Sequence, residues 1–497
     1  MNREALLHIP ESEFCFALDK NTVVIRLRTS KTDVFESVSL IYGTKYDFCT
    51  KQNKILLQKQ FTDSNYDYYI ATLSLADVRL VYIFELVENG NIYYFSEDGI
   101  TTTYDYSVAY YNSFQLAYIN AIDVQQQVKW LDNSCFYQIF VERFCRGDYK
   151  KDDSYINLQW GSIPNSKSFA GGDLQGIINN LDYLASLNIN AIYLTPINNS
   201  ISNHKYDIID YYAIDKQFGD NETLTNLVNE AHKRNMRIVL DAVFNHCSDH
   251  NALFQDVVNK GKASPYFNWF IIDGEEVSED NYATFGNCKY MPKFNTSNIE
   301  VQRYLIDVAR YYIAKFDVDG FRLDVSDEVS HDFWREFRRH IKRVKSDCVI
   351  IGENWHNAVS YLRGDQYDSI MNYAYTKACL DYFINGVFSA KDMSEKLSAL
   401  LMRNTNQTNQ MMLNLLDSHD THRFVTQAKS NINKLMSALT LTYMFIGVPC
   451  IYYGTENAME GDYDPDCRRC MDWTKAHTET HLKSLIRTLG SLRQSGL

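Results

Sequence analysis

Short apolar segments alternate with longer amphipathic segments from about Trp130 to the end of the chain, and this alternation constrains the fold most strongly. The strand candidates are CFYQIFVERF, NAIYLTP, RIVLDAVFNH, GFRLDV, CVIIGEN, SIMNY, MMLNLLDSHD and CIYYGTE. Helix candidates such as TLTNLVNEAHKRN, VQRYLIDVARYYIAKF and HDFWREFRRHIKRVK lie between them, with apolar residues at helical spacing. This order predicts an α/β fold, a (β/α)8 TIM barrel, with an open doubly wound sheet as the alternative. No glycine-rich phosphate-binding motif follows any strand, which disfavours a nucleotide site on an open sheet.

The N-terminal part of the chain has a different pattern. Segments such as TVVIRLRT, SVSLIYG, YYIATLSL and VRLVYIFELV are short and rich in β-branched and aromatic residues, and polar clusters separate them. This pattern is typical of an antiparallel β-sandwich. We therefore predict a sandwich over residues 1–122 and the barrel domain over residues 123–497. The stretch 247–297, after the third strand, has little helical period and is predicted to be an inserted subdomain with a functional role.

Composition excludes several classes of protein. The net charge is −13 and no basic tract occurs, which argues against binding to nucleic acid or to anionic membranes. The most apolar window, ALTLTYMFIGV, is shorter than the ~20 residues that a membrane-spanning helix needs. The N-terminus MNREALLHIPESEF lacks an apolar secretion signal, and the 11 cysteines are scattered. These features predict a cytoplasmic protein with reduced thiols.

Polar residues cluster where the predicted barrel strands end. In a barrel, the carboxyl ends of the strands form the rim that holds the active site. The strand ends carry Asp241, Asn245 and His246 (third strand), Arg322 and Asp324 (fourth), Glu353 (fifth), and His419 and Asp420 (seventh). Buried like charges cost free energy, so acids that converge on one rim from several strands indicate function rather than packing.

Two of these acids are predicted to have contrasting environments. Arg322 and Asp324 share one face of a strand, so the guanidinium is expected to keep Asp324 ionised, although this strand taken alone favours a structural ion pair. Glu353 follows the apolar run CVIIG and precedes Trp355, so it is expected to stay protonated as a general acid. Such a pair can split a glycosidic bond. Metal-dependent hydrolysis is the alternative, but no HExxH-like ligand pair occurs.

The same strand ends resemble a known family. DAVFNH, GFRLDV, GENW and LLDSHD are similar, in order and in strand, to the four signature regions of glycoside hydrolase family 13, the α-amylase superfamily. MPKFN (291–295), NHKYD (203–207), DPDCRR (464–469) and WHNAVSYLRGDQYDSIMNY (355–373) resemble its neopullulanase, cyclomaltodextrinase and maltogenic amylase group. The N-terminal segment SVSLIYGTKYDF resembles that group's starch-binding-type module. The resemblance covers nearly the whole chain.

The resemblance implies a role for each matching residue. Asp324 would be the nucleophile, Glu353 the general acid/base, and Asp420 the third acid, which grips sugar hydroxyls. The implied substrate-binding residues are Tyr206, His246, Arg322, Trp355, His419, Asp464 and Arg468. Because the family retains the anomeric configuration, the Asp324 and Glu353 carboxyls are expected to lie ~5–5.5 Å apart.

The activity implied is a retaining α-glucoside hydrolase. It would cleave α-1,4 bonds in cyclodextrins, pullulan and maltooligosaccharides through a covalent glycosyl-enzyme, with transfer to another sugar competing with water. An α-glucan transferase or an exo-α-glucosidase on the same barrel is the alternative among enzymes. A non-catalytic carbohydrate-binding protein is the alternative from another class; it predicts missing acids, and all of them are present. The group also implies a homodimer in which the N-terminal domain of one subunit covers the cleft of the other.

Two departures from the group's pattern carry predictions. The group often binds calcium in the loop after the first strand. In that loop Asp148, Asp152, Gly171 and Asp173 match, but two expected Asn positions are Arg146 and Lys151. Calcium requires oxygen ligands and cations repel it, so this degenerate site is predicted to bind no metal, and no cofactor is required. The chain also ends just after the predicted eighth helix, so the group's C-terminal β-domain is expected to be absent.

Overall fold

The computed structural model describes residues 1–496, and these residues form two compact units. The first unit comprises Met1–Gln127 together with Gly386–Asn409, and the second comprises Val128–Asn385 together with the residues from Gln410 onward. Among the described residues, no helix is both long enough and apolar enough to cross a membrane.

Two antiparallel sheets form the core of the first unit. One sheet has the strand order Cys15–Ala17, Thr22–Ser30, Tyr66–Ser74 and Gln58–Thr62. The other has the order Asn53–Leu56, Ser37–Thr44, Leu80–Glu88, Asn91–Ser96 and Gly99–Thr101, with Phe114–Leu116 paired to Leu80–Glu88. Alternate residues of both sheets share one buried cluster, which includes Val23, Ile25, Leu40 and Phe84. The predicted N-terminal sandwich is therefore confirmed.

The segment Gly386–Asn409 packs with this sandwich, although it interrupts the barrel sequence. Its helix spans Ala390–Met402. The buried Arg26 of the sandwich donates to the carbonyl of Asn404 and to the side chain of Asn406, both at 2.8 Å. The division predicted from the sequence placed this segment in the barrel. The structure instead groups it with the first unit, because its contacts are with residues far away in the sequence.

Eight parallel strands form the barrel of the second unit. They are β1 (Phe136–Ile139), β2 (Ala191–Leu194), β3 (Arg237–Ala242), β4 (Gly320–Leu323), β5 (Val349–Gly352), β6 (Ser369–Ile370), β7 (Leu413–Leu415) and β8 (Val448–Tyr452). The strands are hydrogen-bonded in the order β6-β5-β4-β3-β2-β1-β8-β7, and a parallel bridge between Met371 and Leu413 joins the two ends. All residues of β1, β2, β4 and β5 are buried, as expected for strands covered on both faces. The predicted barrel is confirmed, and each strand overlaps the segment predicted for it.

Helices follow the barrel strands along the chain. They are Val141–Phe144, Leu174–Ile178, Leu181–Ser186, Asn221–Lys233, Ala252–Lys260, Ile299–Phe316, His331–Val344, Tyr373–Cys379, Asn406–Met411, Phe424–Gln427, Ile432–Met444, Trp473–Ala476 and His481–Gln494. An antiparallel pair, Asn198–Ser200 and Ile208–Ile214, follows β2. In His331–Val344 the buried residues Phe333, Trp334, Phe337 and Ile341 recur at helical spacing, so one face of this charged helix packs inward.

The insertion after β3 contains more helix than the sequence predicted. The helix Ala252–Lys260 buries only Phe254 and Val257, which are too few to give a clear helical period. An isolated antiparallel bridge pairs His246, shortly after β3, with Lys293, near the end of the insertion. Both ends of the insertion therefore lie next to the barrel rim.

Candidate active site

The carboxyl ends of β3, β4 and β5 bring acidic residues side by side. Asp241 and Arg322 are direct partners in the parallel ladder. The ladder continues past the strands, because the N–H of Asp324 donates to the carbonyl of Ala242 at 3.1 Å and the N–H of Glu353 donates to the carbonyl of Leu323 at 2.9 Å. The predicted acids of neighbouring strands therefore lie on one rim.

Arg322 lies at the centre of these acids and is only 1% exposed. Its Nη1 lies 2.9 Å from Oδ2 of Asp241 and 2.9 Å from Oδ1 of Asp324. Its Nη2 lies 2.9 Å from Oε2 of Glu353 and 4.0 Å from Oδ2 of Asp420. A single guanidinium thus faces four carboxyl groups, which cannot all be ionised here without a large free-energy cost.

Burial raises the pKa of Asp324 well above its ordinary value. Arg322 opposes this rise, whereas the carboxyls of Glu353, Asp241 and Asp420 add to it. Burial likewise raises the pKa of Asp241 to about 6. The sequence predicted that Arg322 keeps Asp324 ionised. Arg322 does lower the pKa of Asp324, as predicted, but burial and the neighbouring carboxyls raise it by more.

Groups on two neighbouring strands hold Glu353. Its Oε2 accepts the N–H of Val325 at 2.9 Å, and its Oε1 accepts the indole N–H of Trp355 at 3.1 Å. Trp355 stacks on Tyr373, with ring centroids 3.8 Å apart and planes at 1°. Val325 has a left-handed backbone (φ 45°), which is strained for a β-branched residue. This strained turn follows Asp324 directly and directs an N–H towards Glu353.

A hydrogen-bonded chain runs beside the acids. The side-chain amide of Gln138 donates to Nδ1 of His419 at 2.6 Å, so the ring carries its proton on Nε2, which lies 2.6 Å from the hydroxyl of Tyr206. Tyr206 donates in turn to Oδ2 of Asp241 at 2.9 Å, and its ring stacks on His419 with planes 6° apart. Burial lowers the pKa of His419 well below its ordinary value, so this imidazole is neutral.

His246 presents a buried nitrogen without a partner. The residue is 1% exposed and its ring stacks on Phe285, with centroids 4.9 Å apart. Its Nδ1 lies 3.3 Å from the side-chain amide of Asn245, whereas Nε2 has no hydrogen-bond partner among residues 1–496. Burial lowers the pKa of His246 to about 3. A neutral imidazole with an unsatisfied buried nitrogen marks a position for a polar ligand group.

Arg468 links the seventh strand end to the loop after β8. Its Nη2 lies 3.3 Å from Oδ1 of Asp420, and its Nη1 lies 3.0 Å from Oδ1 of Asp464. Its Nε donates to the carbonyl of His419 at 2.9 Å. Except for His246, the catalytic and substrate-binding residues predicted from the sequence therefore lie in one network of hydrogen bonds, ion pairs and ring contacts.

The structure adds residues that sequence reasoning did not select for the site. Gln138 holds His419, Tyr373 stacks on Trp355, and Lys293 of the insertion lies 3.0 Å from Oε2 of Glu328. Gln138 could have been found as a polar residue within the apolar strand β1. Tyr373 ends the motif 355–373 but was not selected, because an aromatic residue after a buried strand is common in any protein core.

Asp148 and Asp152, two of the oxygen ligands predicted for a degenerate metal site, form hydrogen bonds elsewhere. Asp148 accepts the N–H of Lys150 at 2.8 Å, and Asp152 accepts the N–H of Ser154 at 2.9 Å, so each carboxylate is engaged within its own turn. Among residues 1–496, no group of three or more His, Cys, Asp or Glu side chains has a geometry that could hold a metal ion.

Two family domains match the chain. Residues 138–491 match the α-amylase catalytic domain, and residues 1–120 match the N-terminal Ig-like domain of α-amylases. The catalytic-domain match contains every site residue described above and all the barrel strands except the first two residues of β1.

Several known proteins are similar over almost the full chain. A maltogenic α-amylase from Bacillus acidopullulyticus is 42% identical over 501 residues, which cover 99% of this chain and 85% of that protein. An intracellular maltogenic amylase from Bacillus subtilis is 40% identical over 502 residues, which cover 99% of this chain and 84% of that protein. A solved cyclomaltodextrinase structure has a TM-score of 0.95 at 39% identity and covers 100% of this chain and 85% of that one.

Proposed function

Because the chain belongs to the α-amylase family of glycosidases, we propose that it hydrolyses α-1,4-glucosidic bonds in cyclodextrins, pullulan and maltooligosaccharides. The observation that carries the proposal is the cluster of Asp324, Glu353 and Asp420 around Arg322. The similarity to a maltogenic α-amylase and to a cyclomaltodextrinase supports linear and cyclic α-glucans as the substrate class.

In the proposed mechanism, Asp324 attacks the anomeric carbon while Glu353 gives its proton to the departing oxygen. The bond from the carbon to that oxygen breaks as the bond to the Asp324 carboxylate forms, which leaves a covalent glycosyl-enzyme. Glu353 then removes a proton from water, and the water oxygen displaces Asp324 with net retention of configuration. A sugar hydroxyl that takes the place of water gives transglycosylation instead.

The mechanism needs one protonated and one ionised carboxyl group, and Arg322 lies next to both of the carboxyls concerned, Glu353 and Asp324. Burial raises the pKa of Asp324 and of Asp241, so negative charges on both of them beside Arg322 are disfavoured. The proposed productive form has a proton on Glu353 and the negative charge on Asp324. Asp420, paired with Arg468, is proposed to accept sugar hydroxyls rather than to exchange the proton.

Substrate contacts are proposed for the neutral groups of the rim. The amide of Asn245 faces Nδ1 of His246, so Nε2 of that ring carries the proton and can donate to a sugar hydroxyl. Tyr206, which is only partly buried, and Trp355, which is 43% exposed, present aromatic rings that suit the apolar faces of sugar rings. Asp464 and Arg468 are proposed to contact sugar near the non-reducing end.

The decisive experiment is product analysis with β-cyclodextrin, pullulan and soluble starch. Release of maltose or other short oligosaccharides from at least one of them is expected, and longer oligosaccharides would report transfer. A folded protein that releases nothing from any of the three would contradict the proposal.

Asp324→Asn tests the nucleophile. The amide cannot form a stable glycosyl-enzyme, so kcat is expected to fall at least about 1,000-fold while substrate binding is largely kept. Asp317→Asn is the matched control, because this aspartate lies shortly before β4 in the sequence and pairs with Lys345 instead of Arg322. Near-full activity of Asp324→Asn would exclude Asp324 as the nucleophile.

We also propose that the protein acts inside the cell as a homodimer formed through the N-terminal unit. The similarity to a protein named intracellular maltogenic amylase supports the location. Large exposed aromatic side chains on the first unit, such as Tyr46 (72%) and Tyr111 (75%), support a protein contact surface there.

A further inference from the structure

A buried lysine occupies the loop after β1 where family resemblance implies a calcium ion. The Nζ atom of Lys151 lies 2.8 Å from the carbonyl of Gly171, 2.8 Å from Oδ2 of Asp173 and 2.7 Å from the carbonyl of Gln217. The lysine side chain is 8% exposed and that of Asp173 only 1%. An ammonium group has three N–H donors, so these oxygen atoms saturate it.

The oxygen acceptors of Lys151 come from separate parts of the second unit. Gly171 and Asp173 precede the helix Leu174–Ile178, and Gln217 follows the strand Ile208–Ile214. Gly171 has a positive φ of 90°, a backbone conformation that glycine adopts readily and that costs conformational energy for other residues. Lys151 thereby ties the loop after β1 to two further segments.

Asp173 extends this connection into the backbone. Its carboxylate accepts the N–H of Gly176 at 2.7 Å as the cap of the helix, and also those of Gly147 at 2.9 Å and Asp148 at 3.1 Å. One buried carboxylate therefore orders the same loop from which Lys151 projects. A carboxylate buried this deeply needs a nearby positive charge, which Lys151 supplies.

A second buried lysine completes the arrangement. Lys205 lies 2.8 Å from Oδ2 of Asp215 and donates to Oε1 of Gln217 at 2.6 Å. Gln217 thus offers its side chain to one ammonium group and its backbone carbonyl to the other. Two fixed positive charges already satisfy the oxygen atoms of this region.

A divalent cation does not fit among these residues. Calcium takes about six to eight oxygen ligands at ~2.3–2.6 Å, and an ammonium group at the centre of the oxygen set repels it. Asp148 and Asp152 are engaged in their own turns, and Arg146 pairs with Asp153 at 3.0 Å. The residues present therefore disagree with a calcium site.

We infer that the ammonium group of Lys151 is a built-in substitute for a divalent cation. It neutralises Asp173 and holds the loop after β1 against the two neighbouring segments without a metal. The oxygen atoms of Gly171, Asp173 and Gln217 surround this ammonium group as they would surround a bound cation. Replacing Lys151 and Arg146 by Asn, which supplies amide oxygen atoms, should therefore turn the loop into a calcium site.

The first test compares thermal unfolding of the full chain with CaCl2 and with EDTA. The Tm of the wild type is expected to be the same in both. Lys151→Met is expected to lower the Tm by at least about 3 °C, because it leaves Asp173 buried without its counter-charge. Lys150→Met, which removes an exposed positive charge one residue earlier, is the matched control and should leave the Tm unchanged. A saturable rise of the wild-type Tm with calcium, or equal Tm values for the two methionine variants, would overturn the inference.

The second test is the conversion itself. The double variant Arg146→Asn, Lys151→Asn is expected to gain a calcium-dependent rise in Tm and one calcium site by titration calorimetry, whereas the wild type binds no calcium in the same experiment. A double variant that unfolds without metal but folds when CaCl2 is added also supports the inference. A folded double variant that binds no calcium would contradict it. If that variant folds under neither condition, the comparison of Lys151→Met with Lys150→Met decides.

Discussion

At the scale of single residues, Arg322 controls the charge of the candidate active site. The residue faces Asp241, Asp324, Glu353 and Asp420 and supplies only one positive charge. An arginine that pairs with a single acid lowers the pKa of that acid. Because Arg322 is shared among these acids, its effect on the pKa of Asp324 is smaller than the opposite effect of burial. Asp324, the proposed nucleophile, is thus predicted to ionise at a higher pH than an ordinary aspartate.

The pH profile tests this distribution of charge. Asp241→Asn removes a negative charge near Asp324 and leaves more of Arg322 to pair with it, so the pKa of Asp324 should fall. The acidic limb of kcat/KM against pH is therefore expected to move to lower pH, although the activity itself drops. A loss of activity with an unchanged acidic limb would show that Asp241 acts on the structure alone.

The same carboxylate should destabilise the fold at neutral pH. The folded pKa of Asp324 lies above its unfolded value of ~3.9, so the stability it contributes is present below about pH 3.9 and is lost as the pH rises through the folded pKa. Asp324→Asn is accordingly expected to raise the Tm at pH 7 by ~2–4 °C and to have less effect near pH 4. A lower Tm of this variant at pH 7 would mean that its ion pair with Arg322 outweighs burial.

At the scale of elements, the register of short strands sets the distances between the proposed catalytic groups. Arg322 and Ile351 are ladder partners of β4 and β5, and Glu353 therefore emerges beside the turn at Val325. Gly352 precedes Glu353 in a crowded position. A Cβ atom there would lie 2.6 Å from the ring of Tyr367, which is fully buried.

Gly352→Ala is expected to displace this register. The methyl group must push the Tyr367 ring or the backbone of β5, which should cost about 1–3 kcal/mol of folding free energy and lower kcat by moving Glu353. Urea unfolding and kcat measure the two effects. Tyr367→Leu makes room for the methyl group, so the double variant should lose less stability than the sum of the single variants. Strictly additive losses would contradict the proposed clash.

At the scale of the whole molecule, the first unit is expected to mediate self-association. The chain has a mass of 57.8 kDa, and light scattering of the purified protein should give about twice this value. Replacing the exposed Tyr111 by Ser should weaken the dimer without unfolding the sandwich, because the side chain is 75% exposed. A monomer mass at micromolar concentration would contradict the proposed homodimer.

Local patterns made much of the fold predictable. The eight barrel strands are short apolar runs between turn signals, and the sandwich strands are short β-branched and aromatic runs between polar clusters, so composition and length identified both. The helix Ala252–Lys260 was missed because it buries only Phe254 and Val257. The packing of Gly386–Asn409 with the sandwich could not be predicted either, because no local sequence pattern indicates a long-range contact such as that of Arg26 with Asn404.

By itself, the sequence determined which residues could meet. Asp324, Glu353, Asp420 and Arg322 stand at strand ends, and parallel strands of one barrel must end on the same rim. Only the tertiary structure decided how charge is divided among them and that Lys151 fills the place expected for a cation. The physical reason is that the spacing of residues along the chain predicts the face of a strand or helix on which each side chain lies. Burial and the number of neighbouring charges depend instead on segments that are distant in the sequence.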